Sequence, residues 1–354
     1  MTMIPIYVGT YTRPAPYLAS TNGEGLYSGS FDTETGEISG LMCTEGIENC
    51  SFLTVSPDGT AVHAIWEVVE WPVGLVSSYA VEGGGLRFLG LQSSKGALAC
   101  YVTVTPGNDA AFVANYLSGS VARFPVGASG ALGEAMSLDQ HVGTGPDFER
   151  QEGPHAHCIV LDPAGEFVHS ADLGTDSIIG YRASDPSLTP MTRVELPPGT
   201  GPRHLVFHPT RPIAFVVGEM SSTITALTYD PETGQLSTIG THPLLPESVE
   251  VVSHAADVHV HPIAGVVYCS NRGHGSISVF AINADGDVRL IASRSTEGAT
   301  PRNFAVSPDG RYLLAANQDS DNIVVIAIDP STGALGDTVG SFAVPTPACV
   351  RLGS

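Results

Sequence analysis

The pentapeptide "VSPDG" occupies Val55–Gly59 and returns unchanged at Val306–Gly310. Between the two copies it recurs in altered form, as "VTPGN" from Val104, "LDPAG" from Leu161, "FHPTR" from Phe207 and "VHPIA" from Val260. Each is an apolar run that ends in a turn containing proline, whose fixed φ suits a turn position. The prolines stand at 57, 106, 163, 209, 262 and 308, so the intervals are 49, 57, 46, 53 and 46 residues. After each turn comes a second apolar strand ("AVHAIWE", "AAFVANY", "FVHSADL", "IAFVVGE", "VVYCSNR", "YLLAANQ"). Third strands such as "GSISVFAI" and "SDNIVVIAI" carry the β-branched and hydroxyl residues that strands favour.

A repeat of about 40 to 50 residues with four strands is one blade of a propeller. Six such units leave both termini unassigned. The N-terminal "IYVGTYT", "GLYSGSF" and "EISGLMC" read as second, third and fourth strands lacking a first, and the C-terminal "PACVRL" reads as a first strand lacking successors. Joined, they make a seventh blade, and closing the ring removes the open sheet edges that invite aggregation. The sequence therefore predicts an all-β chain, one domain over residues 1–354. It is a seven-bladed β-propeller of four antiparallel strands per blade, closed by the N- and C-terminal strands in one blade. "DTETGEIS" (32–39), "DPETGQLS" (230–237) and "DPSTGALG" (329–336) are expected to be hairpin turns between third and fourth strands, glycine supplying positive φ.

Composition narrows the function. The 40 glycines and 26 prolines fit short strands joined by tight turns. Fifteen basic against 36 acidic residues give a net charge of −21, which repels nucleic acid and anionic membrane surfaces. Lys95 is the only lysine, so the positive charge is almost all arginine, suited to bidentate binding of carboxylate or phosphate. No run approaches 18 apolar residues and no signal-peptide pattern opens the chain, so the expected compartment is the cytoplasm. Cys43, Cys50, Cys100, Cys158, Cys269 and Cys349 form no C-x-x-C pair and are expected to be buried thiols.

In a propeller, the loops entering first strands and leaving second strands open on one face around the central channel. Six residues before the blade prolines stand Ser51, Cys100, His157, Arg203, Ala256 and Arg302; ten residues after them stand Glu67, Tyr116, Leu173, Glu219, Arg272 and Gln318. These positions vary while the flanking strands persist, as a site on a constant frame would. Asn115, Asp172, Asn271 and Asn317, at strand ends, suit turn capping. His155 and His157 flank Ala156, so on a regular strand both would point to the same side. His204, His208, His259 and His261 fit structural roles, whereas His254 and Asp257 fit either role.

The ordered series "YVGTYT", "NCSFLTVSPDG", "ERQEGPHAH", "GPRHLVFHP", "GEMSSTITAL", "SNRGHGSISVFAI" and "TPRNFAVSPDG" resembles the lactonase family of seven-bladed propellers over nearly the whole chain. That family includes bacterial 6-phosphogluconolactonases and a fungal muconate-lactonising cycloisomerase. The resemblance implies a metal-independent site, with no cofactor, acting on a small lactone or its hydroxy-acid anion. Motif by motif, it implies catalytic roles for His155, His157 and Glu219 and substrate binding by Arg203 and Arg272, to which the repeat frame adds Arg302. Tyr101 stands where the family often has histidine, and Trp66 where asparagine usually precedes glutamate, with an unusual "VVEWP" after it.

Hydrolysing a lactone needs a water deprotonated near neutral pH and a stabilised oxyanion. His155, His157 or Glu219 could supply the base, and the arginines the anion binding. Ion pairing of Arg203 and Arg272 with Glu219 and Asp257 would shift the expectation toward an uncharged sugar lactone. Three alternatives remain open on sequence: a cycloisomerase using the same groups, a non-catalytic scaffold with an apolar patch at the mouth, and a calcium site built from Glu67, Asn115, Asp172 and Asn271.

Overall fold

The computed structural model describes residues 3–353. Twenty-eight strands, β1 to β28 in chain order, form seven antiparallel sheets of four. The closing sheet has the order β28 (Pro347–Leu352), β1 (Met3–Thr10), β2 (Gly25–Asp32), β3 (Ile38–Glu45). Tyr7 pairs with Arg351 and Val8 with Val350, so the two ends of the chain zip the ring shut as the repeat count requires.

Burial follows from position within a blade. Second strands such as β9 (Ala110–Asn115), β13 (Phe167–Asp172), β17 (Ile213–Gly218) and β25 (Tyr312–Asn317) are buried at every residue. Each is covered on both faces by neighbouring blades, and such strands read as continuous apolar runs. The outermost strands, for example β15 (Pro190–Glu195) and β27 (Leu335–Ala343), are mostly exposed or half-buried. Between adjacent sheets lie separate apolar clusters, one holding Phe112, Val168, Ile179 and Tyr181, another Leu205, Val216 and Leu227. Each such side chain contributes about 1.5–3 kcal/mol when fully buried.

The three acidic turns have the expected form. Gly36, Gly234 and Gly333 take φ of 77°, 73° and 73°, a region open to glycine at no steric cost. In each turn the opening aspartate accepts a backbone N–H two residues on, at 2.8–2.9 Å. None of the six cysteines is paired; five are buried and Cys43 is half-buried. Among the described residues no helix is long and apolar enough to cross a membrane.

One irregularity positions the site. As in β28, where Ala348 is left unpaired, the first strands of five other blades carry a register shift near the channel mouth. These strands are β8 (Ala99–Val104), β12 (Ala156–Leu161), β16 (Pro202–Phe207), β20 (His254–Val260) and β24 (Pro301–Val306). The residues left without a partner on the second strand are Cys100, His157, Arg203 and His204, Ala256 and Asp257, and Arg302. A bulge re-aims side chains that a regular strand would alternate. It also overturns the expectation that His155 and His157 share a side, since the shift falls between Ala156 and Cys158.

Candidate active site

At the mouth the seven blades enclose a cavity of about 550 Å³, lined among others by Glu67, Cys100, Tyr116, His157, Glu219, Arg272, Arg302 and Gln318. All eight belong to the two frame positions read from the repeats. Tyr17, Arg150, His254, Thr300 and Asp319 complete much of the wall.

Glu219, just beyond β17, is the centre of charge. Its Oε2 lies 2.7 Å from Arg272 Nη2 and 3.0 Å from Arg203 Nε, and its Oε1 accepts from Arg150 Nη2 at 2.8 Å. Arg203 Nε lies off the hydrogen-bond direction, so that contact is ionic. Burial pushes the Glu219 carboxyl up, but Arg272, Arg203, His157 and Arg150 outweigh burial and hold it well below its ordinary 4.5. Burial and the charges of Arg272 and Arg302 bring Arg203 down to about 10, still cationic at neutral pH.

His157 lines the cavity with its Nε2 3.8 Å from Glu219 Oε2 and its Nδ1 buried without a partner. Burial, then the charge of Arg203, pushes its pKa well below 6.5, so the ring is neutral at pH 7. On the opposite wall Glu67 accepts from the hydroxyls of Tyr17 (2.7 Å), Tyr11 (3.2 Å) and Ser51. Arg302 lies 3.7 Å from Glu67 with its guanidinium over the Tyr11 ring.

The structure brings His157, Glu219, Arg203, Arg272 and Arg302 together and sets His155 aside. His155 stacks on Tyr116 at 4.6 Å, its Nδ1 lies 3.0 Å from the Tyr116 carbonyl, and its Nε2 lies 3.3 Å from Glu152. Arg203 sits beneath the cavity surface with its side chain 3% exposed. Arg272, 17% exposed, reaches the cavity and keeps a buried Nε without a partner. Arg203 and Arg272 both pair with Glu219 and neither with Asp257. On the cavity wall three guanidiniums (Arg150, Arg272, Arg302) stand against three carboxylates (Glu67, Glu219, Asp319), a local balance in a protein of net −21, with Arg203 buried beneath.

The four groups considered for calcium do not converge. Asn115 Nδ2 donates to the Ser94 carbonyl in the connection from the preceding blade, Asn271 Nδ2 to Ser276 and Ser278, and Asp172 accepts from the His155 and Thr175 amides, each committed to local strapping. Trp66 turns inward, donating to Ser77 Oγ at 2.9 Å and stacking near Trp71, so the "VVEWP" insert does not bring it into the cavity. Tyr101 lies below the cavity, stacked on Phe52 at 3.8 Å.

Sequence reasoning missed Arg150 and Tyr17. Both ride on long connections whose extra residues have no counterpart in most blades, Arg150 between β11 (Ser137–Gln140) and β12 and Tyr17 between β1 and β2. An alignment of blades had no column for them. The other available signal was composition: with one lysine in the chain, an arginine beside "EGPHAH" merited notice.

A ring of seven four-stranded blades whose axial mouth gathers arginine, glutamate and histidine defines a propeller built to bind and act on a small polar molecule. The model of the lactonase family, described as a 7-bladed β-propeller, matches residues 5–352, and the chain belongs to that family. A protein of Bacillus subtilis named 6-phosphogluconolactonase is 35% identical over 98% of this chain and 97% of its own length. Another of that name, from Formosa agariphila, is 29% identical over 93% and 94%. The solved structure of a periplasmic gluconolactonase from Pseudomonas aeruginosa superposes with a TM-score of 0.89 at 30% identity, covering 100% of this chain and 99% of that one. These names support a lactone-hydrolysing enzyme. The Pseudomonas aeruginosa protein is periplasmic by name, so the expected cytoplasmic location is not shared by all of these relatives.

Proposed function

We propose that the protein hydrolyses a sugar-acid lactone, with a phosphorylated aldonolactone of the 6-phosphogluconolactone type preferred over an uncharged one. The observation that carries this reading is the neutral His157, held in one cavity with a clamped carboxylate and several guanidiniums.

Glu219 is too weak a base, since its arginine partners stabilise the ionised form. The proton of the attacking water goes to His157, and Glu219 at 3.8 Å offsets the imidazolium that forms. Arg272, whose side chain reaches the cavity, polarises the lactone carbonyl and stabilises the oxyanion; a well-placed donor contributes about 2.7–4 kcal/mol. Arg302 and the rim residue Arg150 hold the substrate's anionic group. Arg203 keeps Glu219 in place from below. A bound anion offsets the arginine charges that depress His157, so substrate binding strengthens the base.

Three guanidiniums on the wall of a cavity in an otherwise acidic protein support an anionic substrate, although the pairing of Arg203 and Arg272 with Glu219 weakens that preference. The apolar mouth that a passive scaffold requires is replaced by this polar convergence, although exposed Phe148 and Val252 lie on loops leading into β12 and β20.

The test is acid release from phosphorylated and unphosphorylated aldonolactones by wild type and His157→Gln, with product analysis on a muconolactone in parallel. Expected is rapid release from the phosphorylated lactone by wild type and loss in the variant. Release from no lactone would refute the reading, and turnover of the muconolactone alone would replace it with cycloisomerisation.

A further inference from the structure

The cavity floor contains a second buried chain of polar contacts. We infer that Asp257 and His204 are positioning residues: the carboxylate fixes the imidazole tautomer, and the imidazole's bare nitrogen orients the Arg203 guanidinium against Glu219. The inference rests on the lactonase reading only for its kinetic consequences.

The contacts cross three blades. Asp257 Oδ1 lies 2.7 Å from His204 Nδ1 and accepts the Val258 amide at 3.0 Å. Asp257 Oδ2 accepts from Asn303 Nδ2 and from the Phe304 amide at 3.3 Å, and lies 3.0 Å from His259 Nε2. Surrounded by donors, the carboxylate stays ionised; burial opposes this, but His259 and His204 hold its pKa well below 3.8. An ionised carboxylate only accepts, so the proton of His204 is on Nδ1. Its Nε2 then presents a lone pair to Arg203 Nη1 at 3.2 Å. Burial and the neighbouring Arg203 lower His204 to about 3, which keeps that lone pair free. Arg203 Nη1 also donates to the Ala256 carbonyl. Two acceptors thus fix one end of the guanidinium, which leaves its Nε in ionic contact with Glu219 Oε2 at 3.0 Å, off the hydrogen-bond direction. The opposite tautomer would set N–H against N–H and push Arg203 away.

Asp257 also ties β20 to β24 through Asn303 and the Phe304 amide, a task that does not call for His204. His204 packs edge-on against Tyr101 and Phe52 at ring separations of 5.2 and 5.7 Å. That layer parts the mouth cavity from a second one of about 460 Å³, where Asp257 and His259 face the other end of the channel. Apolar side chains would close such a floor equally well, whereas aspartate and histidine there are costly to bury unless they are paired. The bulges of β16 and β20 supply both members at the positions that also supply Arg203 and Ala256.

The experiment has two arms. Nitrogen-15 NMR of histidine-labelled wild type should show His204 protonated on Nδ1 and bare on Nε2, and Asp257→Asn should reverse or mix the tautomers. In kinetics on the lactone that wild type hydrolyses, His204→Phe keeps the ring packing and removes the acceptor. It should lower kcat by about 10–100-fold, the usual effect of losing such a supporting partner, with KM changed less than about threefold. His204→Gln, which restores an acceptor, should recover part of the loss. If Asp257→Asn does not fold, the wild-type spectrum and His204→Phe still decide. An Nε2–H tautomer in wild type, or a folded His204→Phe with unchanged kcat, would overturn the inference. Absence of lactone hydrolysis by wild type would instead overturn the proposed function and leave the NMR arm standing.

Discussion

Replacing Glu219 with glutamine keeps the side-chain shape and removes the charge on which Arg150, Arg203 and Arg272 converge. Arg203 and Glu219 are 3% and 8% exposed, so the guanidinium left behind stays desolvated and unpaired. Losing one partner of such a buried pair costs about 3–5 kcal/mol. The Arg150 contact, 42% exposed on the arginine side, adds less than about 1 kcal/mol. At about 2.1 cal/mol/K of unfolding entropy per residue, this 354-residue chain shifts by about 1.3 °C per kcal/mol, so Tm should fall by about 4–7 °C. The pH dependence gives the sign. The folded Glu219 value lies below the ordinary 4.5, so its contribution is full above about pH 4.5 and fades as pH falls through the folded value. Scanning calorimetry of wild type and Glu219→Gln near pH 7 and near pH 4 should therefore show a gap that narrows in acid. A gap under about 1 °C near pH 7, or one that widens in acid, would refute the central role given to this carboxylate.

His157→Gln should lower kcat by about 10²–10⁴-fold with an intact fold, read by steady-state rates and circular dichroism. Because burial and Arg203 hold His157 well below 6.5, kcat/KM should stay flat from pH 8 to pH 6.5 and decline only in more acid solution; a midpoint at or above 6.5 would count against it as the base. The kcat profile should break at higher pH than kcat/KM, since bound anion offsets the arginines. Arg150→Met should raise KM about tenfold for a phosphorylated lactone and much less for an unphosphorylated one, as loss of one half-exposed charged hydrogen bond implies. Deleting residues 347–354 removes β28 and bares an edge of β1; soluble expression and size-exclusion profiles should show aggregation in place of the wild-type peak.

The ring was legible because its signal is redundant: six proline turns, six apolar second strands and two terminal fragments that fit one gap. Counting from the prolines also found most of the cavity wall, since a constant blade carries a given offset to the same height on the axis. What periodicity could not carry was direction. His155 and His157 read as equivalent on a regular strand, and the bulge beyond Ala156 separates them. His204 and Asp257 read as structural or ambiguous because only the fold brings β16, β20 and β24 within hydrogen-bond reach. Arg150 and Tyr17 lie on connections of irregular length, where no repeat supplies a register.

Because β28 is the innermost strand of the blade that begins with β1, β1 leaves the ribosome long before the strand it pairs with. Until Pro347–Leu352 emerge, the nascent chain is an open arc, without Arg351 over the Phe52 ring or the Val350 amide on Asn303. Translation must pass Leu352 before the axial wall exists, so products truncated ahead of β28 can hold six folded blades and still have no finished pore.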